Sequence, residues 1–136
     1  MIILMLDDDA DIRHTAVEKY LSKEHIVLHA FNCQEGLDLI LQCQGKIGLA
    51  LLDHDMADFL IEEDGMKIER HGAYFLHRML NEIPEEKWPA QFLCHSGNPV
   101  GVDNMLSILR NRDQVVDAIR FSGEMLRNLA ERIRPQ

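Results

Sequence analysis

A doubly wound α/β domain, a parallel sheet with helices on both faces, is the fold class that this sequence predicts. Three observations predict it. Apolar runs and helically spaced apolar stretches alternate almost throughout the chain, the pattern of strands and helices taken in turn. The runs Ile2 to Leu6 and Gly48 to Leu52 are apolar without interruption, as strands covered on both faces are. Each then stops on acid, at Asp7-Asp8-Asp9 and at Asp53-His54-Asp55, where a strand would leave the core. With 136 residues the chain makes one domain, 1–136, large enough to bury a core and too small for two.

The elements follow in order. After the first strand, Ile12, Ala16, Val17, Tyr20 and Leu21 recur at helical spacing. Ile26 to Phe31 alternates apolar and polar, which marks a second, more exposed strand. Asn32 with Glu35 three residues on is a helix-starting box, and Leu37, Ile40 and Leu41 give that helix its buried stripe. Gly48 to Leu52 is the third strand. The stretch 56–70 breaks the rhythm, being acidic with one apolar patch, Phe59-Leu60-Ile61. It reads as an inserted loop over the site, with at most one helical turn. Helical spacing resumes through Ala73, Leu76, Met79, Leu80 and Ile83; Pro84 and Pro89 then bracket a connector. Gln91 to Cys94 is a short strand ending on His95-Ser96, and Asn98-Pro99 turns into a helix carrying Met105, Leu106, Ile108 and Leu109. From 113 to 133, Val115, Ile119, Leu126, Leu129 and Ile133 fall at helical intervals. Val115-Val116 is the only candidate for a fifth strand, and the helical reading suits it better. The expectation is a four-stranded sheet whose fifth strand is degenerate or replaced by a long C-terminal helix.

Composition narrows the function classes. The chain is 46% hydrophobic and 27% charged, a globular balance rather than a disordered one. A net charge of −9 without a basic stripe argues against capture of duplex DNA. Arg110, Arg112, Arg120, Arg127, Arg132 and Arg134 are interleaved with acids and read as a solvated helix face. Cys33, Cys43 and Cys94 have no metal spacing and read as reduced thiols, Cys94 as a small core residue. Ile2-Ile3-Leu4 after Met1 has no basic leader and is too short to span a bilayer. A soluble cytoplasmic protein without membrane contact is therefore expected.

Ligands of open α/β sheets bind beyond the carboxyl ends of the strands, where the strand order switches. Asp7-Asp8-Asp9, Asp53-His54-Asp55 and His95-Ser96 each follow a strand and should converge there. Carboxylates packed together repel, and a hard dication with oxygen ligands relieves that repulsion. Asp7, Asp8, Asp53 and Asp55 are the candidate ligands, Mg²⁺ or Mn²⁺ the expected ion. Asp9 and Asp11 suit helix starting better than ligation. His95-Ser96-Gly97-Asn98-Pro99-Val100-Gly101 is a strand-to-helix loop in which Ser96, Gly97, Asn98 and Gly101 would cradle a phosphate; the same loop can be read as a plain turn with a Ser96 cap. Asp53, His95 and His54 are the candidate catalytic groups, as nucleophile, proton carrier or ligand. Strand alternation leaves the direction of His54 and Asp55 open. His71 stands near enough to face the site. His14, His25, His29 and His77 read as ordinary surface or core-edge residues, and Trp88 as a packing anchor.

Leu6-Asp7-Asp8-Asp9, the helix after it, Leu51-Leu52-Asp53 and Leu93-Cys94-His95-Ser96 resemble a response-regulator receiver domain, from about Met1 to Arg110. The resemblance implies a flavodoxin/receiver-like fold with a core over 1–110, the inserted loop 56–70 and a C-terminal helix over 113–133. It also implies that Asp7 and Asp8 bind Mg²⁺, that Asp53 accepts phosphate and that Ser96 binds the phosphoryl group. The Lys-Pro that ends a receiver's fifth strand has no match, since Lys87 is the last lysine. Leu52-Asp53-His54-Asp55 and His95 to Gly101 are more specific. Together they are similar to the divergent receiver-like family proposed to process cyclic phosphates, typically at RNA ends.

Two main functions follow as expectations. One is a Mg²⁺- or Mn²⁺-dependent phosphoesterase acting on a cyclic phosphate or related ester of a nucleotide or RNA end. The other is an atypical receiver that docks a partner protein without catalysis; a binder that sequesters a phosphorylated nucleotide is a third. The apolar stripe of the C-terminal helix would either cover the sheet edge or form a homodimer face.

Overall fold

The structure, a computed structural model, describes residues 1–110, 115–118 and 121–133, with the backbone alone for 115–118. Ile2–Leu6 forms β1, followed by α1 (Arg13–Leu21), β2 (Ile26–Ala30), α2 (Cys33–Cys43) and β3 (Ile47–Asp53). Two short strands, β4 (Phe59–Ile61) and β5 (Lys67–Glu69), precede α3 (Gly72–Glu82). After a 3-10 turn come β6 (Gln91–His95), α4 (Pro99–Leu109), β7 (Val115–Ala118) and α5 (Gly123–Arg132). The expected four strands are present and parallel in the order β2-β1-β3-β6.

The end of the chain departs from the expected helix over 113–133. Val115–Ala118 instead pairs in parallel with β6, Gln91 opposite Val115 and Cys94 opposite Ala118. The reason is non-local: β6 would otherwise leave a row of unpaired backbone groups along its outer side. The helix begins only after Ser122, whose side chain accepts the Met125 N–H. Residues 113, 114, 119 and 120 of the expected helix lie outside the described residues, as do Arg112, Arg120 and Arg134 of the expected charged face. The apolar stripe of α5 is used within the chain, since Met125, Leu126 and Leu129 are buried with Val17 and Leu21 of α1. Among the described residues no helix is long and apolar enough to cross a membrane.

Alternation along the strands sorts the core into two layers. Ile3, Met5, Leu49, Leu51 and Leu93 face α1 and α5. Leu4, Leu6, Ala50, Leu52, Phe92 and Cys94 face α2, α3 and α4. That parity carries on into the polar residues that end each strand, and it decides which of them meet.

Local signals set the helix starts. Asn32 caps α2 by accepting the Glu35 N–H at 2.9 Å, while Glu35 accepts the Phe31 N–H at 3.2 Å. Asn98 caps α4 by accepting the Gly101 N–H at 3.1 Å, with Pro99 in the first turn. Asp9 accepts the Ile12 N–H at 2.9 Å in the turn that leads into α1, whose N-cap residue Ile12 makes no side-chain cap, so neither Asp9 nor Asp11 caps that helix as expected. Trp88 is buried, with its indole N–H on the Ile83 carbonyl at 2.7 Å, and acts as a packing anchor.

The stretch 56–70 is a β-hairpin, not an irregular loop: Phe59 to Ile61 pairs antiparallel with Glu69 to Lys67. Its base is fixed by buried Asp58, which accepts Arg70 Nε at 2.9 Å and the Cys33 N–H at 3.0 Å. The hairpin is thereby tied to the start of α2, although Phe59, Leu60 and Ile61 are themselves exposed.

Candidate functional site

Asp7 continues the Ile3-Met5 side of β1, Asp53 the Leu49-Leu51 side of β3, and His95 the Leu93 side of β6. Asp53 and His95 are register partners, and Leu6 pairs with Leu52, so Asp7 comes to lie beside Asp53. One oxygen of each carboxylate and one ring nitrogen of His95 fall within 4.8 Å of one another. All three residues are buried, at 0%, 4% and 1% exposure.

Burial governs the electrostatics. Asp53 is pushed up to about 7, first by desolvation and then by the Asp7 charge, with Arg13 opposing. Desolvation pulls His95 down to about 4, which leaves its imidazole neutral with a free lone pair. Asp53 Oδ2 and His95 Nε2 have no hydrogen-bond partner among the described residues. Buried polar atoms without partners are uncommon in folded proteins.

Arg13, which the sequence patterning did not single out, is the cation that reaches this cluster. From the first turn of α1 its guanidinium donates Nε to Asp7 Oδ2 at 2.6 Å and Nη2 to Asp7 Oδ1 at 2.8 Å. Its nitrogens also lie 3.5 Å from Asp53 Oδ2, 3.7 Å from Asp8 Oδ1 and 3.4 Å from Asp9 Oδ2. The Asp53 contact is an ion pair without hydrogen-bond geometry, so Asp53 Oδ2 remains unsatisfied beside it. An arginine one helical turn beyond an aspartate triplet was the available signal. Asp8 sits at the rim, one oxygen accepting the Ala57 N–H at 3.0 Å. His14, expected to be ordinary, is buried and bonds the Asp7 carbonyl at 2.7 Å, so it holds the backbone of the cluster.

The expected phosphate loop divides in two. Ser96 and Gly97 line a cleft of about 370 Å³ whose floor holds Asp53 and His95 and whose wall holds Arg13. Asn98 and Gly101 do not line it. Asn98 Nδ2 donates to Asp55 Oδ1 at 3.1 Å, and that oxygen also accepts His54 Nδ1 at 2.8 Å. Gly101 is required because the His54 imidazole packs where its Cβ would stand. His54, one residue beyond Asp53, follows the opposite strand parity and stacks on the His71 ring with centroids 4.6 Å apart. His71 in turn caps α3, its Nδ1 accepting the Tyr74 N–H at 3.0 Å. His54 and Asp55, whose direction the alternation left open, thus form a second network apart from the Asp7–Asp53–His95 cluster. Asp55 is held below the usual carboxylate range, chiefly by its bond to His54.

The cluster fits a divalent cation. It offers two carboxylates and one neutral imidazole within a single coordination radius, and two of its buried atoms lack partners. The thiols take no part: burial pushes Cys33 and Cys94 up to about 12, and all three cysteines are unpaired with one another.

Residues 2–111 match the family described as cyclic-phosphate processing receiver domains. No curated protein gives a match. Among solved structures, the receiver domain of the hybrid histidine kinase CckA is similar at 17% identity and a TM-score of 0.64, with 97% of both chains covered. A CheY-like response-regulator receiver from Methanospirillum hungatei JF-1 is similar at 19% identity and a TM-score of 0.63, over 96% of this chain and 91% of that one. NtrX from Brucella abortus, solved with ADP, is 26% identical with a TM-score of 0.59. The alignment covers 96% of this chain and 26% of NtrX, so the chain spans about a quarter of that protein.

Proposed function

This chain belongs to the cyclic-phosphate processing receiver family, and from that premise we propose that its cleft binds a phosphate ester and opens a cyclic phosphate with the help of a divalent cation. The observation that carries this reading is the convergence of Asp7, Asp53 and His95, of which Asp53 and His95 line one cleft with Arg13, Ser96 and Gly97. Asp7, Asp53 and His95 would hold the cation, which in such sites polarises a phosphoryl oxygen and lowers the pKa of water. Ser96, with the Gly97 backbone, would hold the phosphoryl group, and Arg13 supplies the positive charge that an anionic ester needs in a chain of net charge −9. In the reaction, water oxygen bonds to phosphorus, one ring P–O bond breaks, and the released oxygen takes the proton that the water gives up. A nucleotide or RNA-end 2′,3′-cyclic phosphate is the proposed substrate class, and no step needs the Asp55–His54 network.

The test is incubation with 2′,3′-cyclic nucleotides and cyclic-ended RNA in Mg²⁺ or Mn²⁺, followed by ³¹P NMR. Ring opening to a monoester, lost in Asp53→Asn, is the expected result. No turnover across cyclic and linear esters with either metal would overturn it.

A second reading is favoured by the position of Asp53 at the end of β3 in a receiver fold. There Asp53 would itself accept a phosphoryl group, and the domain would signal by docking a partner. Among the described residues no lysine reaches the cluster, and Arg13 is the only cation there. A stable beryllofluoride adduct at Asp53, without ester turnover, would support this reading over the first.

A further inference from the structure

We infer that Asp7, Asp53 and His95 form a mixed carboxylate–imidazole site that selects a transition-metal dication, represented by Mn²⁺, over Mg²⁺, with the Arg13 guanidinium as its built-in competitor. The inference rests on the proposed function only in placing a cation at this cluster.

The donor set carries the first half. The four aspartates expected as ligands were Asp7, Asp8, Asp53 and Asp55, with Mg²⁺ or Mn²⁺ as the ion and His95 open as nucleophile, proton carrier or ligand. The structure groups Asp7 and Asp53 with a ring nitrogen of His95, while Asp55 is bonded to His54 and Asn98 and Asp8 stands at the rim on the Ala57 N–H. Mg²⁺ takes oxygen ligands in strict octahedral geometry and keeps its waters, whereas imidazole suits the first-row transition metals, of which Mn²⁺ binds most weakly and serves as the spectroscopic probe. His95 is 1% exposed, and its Nε2 has no partner among the described residues. Its ring packs tilted on Phe121, with centroids 5.1 Å apart. Packing alone would be served equally by an apolar side chain, which would spare the unsatisfied nitrogen.

Arg13 carries the second half. Its bidentate pairing occupies both oxygens of Asp7, at 2.6 and 2.8 Å, and its Nη2 stands 3.5 Å from Asp53. A dication drawn to the same two carboxylates meets a positive charge already seated on them. The Arg13 side chain is 32% exposed and lines the cleft, so it has somewhere to go when displaced. Displacement would carry the guanidinium towards the wall formed by Ser96 and Gly97, where an anionic ester would meet it. Cation binding and phosphate binding then support each other through one side chain.

The experiment uses the full chain stripped with chelator and titrated with Mn²⁺ by electron paramagnetic resonance and with Mg²⁺ by calorimetry. Mn²⁺ is expected to bind at least ten times more tightly than Mg²⁺. The electron spin-echo modulation of bound Mn²⁺ should show directly coupled ¹⁴N, lost in His95→Gln and kept in His54→Gln. Arg13→Gln should bind Mn²⁺ about tenfold more tightly than the parent. Equal affinities for the two metals, or no ¹⁴N coupling in the parent protein, would overturn the donor set. The parent spectrum decides this even if His95→Gln fails to fold. Unchanged or weaker Mn²⁺ binding by Arg13→Gln would overturn the competitor role. Ester turnover in Mg²⁺ without Mn²⁺ preference would sink this inference and leave the proposed function standing; Mn²⁺ bound through ¹⁴N without turnover would do the reverse.

Discussion

Replacing Asp53 by asparagine should stabilise the chelator-treated protein above pH 7, although it removes a residue on which the proposed chemistry depends. In the fold the Asp53 carboxyl is displaced from 3.8 to about 7 by burial and by its neighbour Asp7. Between those values the folded chain keeps a proton that the unfolded chain has released. Stability therefore falls as pH rises through that window, and the loss is complete above the folded value. Converted to free energy the displacement is about 4 kcal/mol, an upper figure because solvent and Arg13 relax around the charge. Asparagine keeps the shape and lacks the charge, so the variant should not show this decline. For a chain of this size each kcal/mol moves Tm by roughly 3–5 °C. The assay is urea unfolding of both proteins in chelator at pH 5.5 and pH 8.5, comparing midpoints at constant slope. His95, held at about 4, adds stability to both proteins as pH rises towards 6.5, so the reading is the difference: Asp53→Asn should gain on the parent between the two pH values and overtake it at pH 8.5. Parallel pH profiles, or a variant less stable than the parent at pH 8.5, would refute the reasoning.

Two further substitutions probe the scaffold. Gly101→Ala places a methyl group onto the His54 ring and should cost about 1–3 kcal/mol; an unchanged urea midpoint would show that the ring yields freely. Asp58→Ala strands the Cys33 N–H and the Arg70 guanidinium and should cost about 2–3 kcal/mol. Because the same carboxylate fixes the hairpin, trypsin should cut at Lys67 or Arg70 well before it cuts the parent, and equal digestion rates would count against that anchoring.

Much of the fold was legible because its signals are local. The uninterrupted apolar runs at Ile2–Leu6 and 48–52 are buried strands, Asn32 caps its helix where the spacing placed it, and the next helix follows Asn98-Pro99 as read, though Asn98 rather than Ser96 caps it. Convergence of three polar strand ends was legible too, since register in a parallel sheet follows from the runs themselves. Where the signal was non-local the reading failed. Val115–Ala118 is too short to show its own period and becomes a strand because β6 offers a free edge. The hairpin at 59–69 depends on a buried Asp58–Arg70 pair that neither residue announces alone.

The sequence by itself determined that Asp7, Asp53 and His95 would end adjacent parallel strands, because hydrophobic runs and their acid stops are properties of neighbouring residues. Only the tertiary structure decided which side chains share a face. Parity sends His54 to the layer of α3 and α4, where its bond and that of Asn98 hold Asp55, while Asp7, Asp53 and His95 turn towards α1, and there Arg13 meets them. A carboxylate at a strand end has no fixed neighbour until helices settle on each side of the sheet. The change from an edge of four candidate aspartates to two of them with His95 under an arginine comes from that packing.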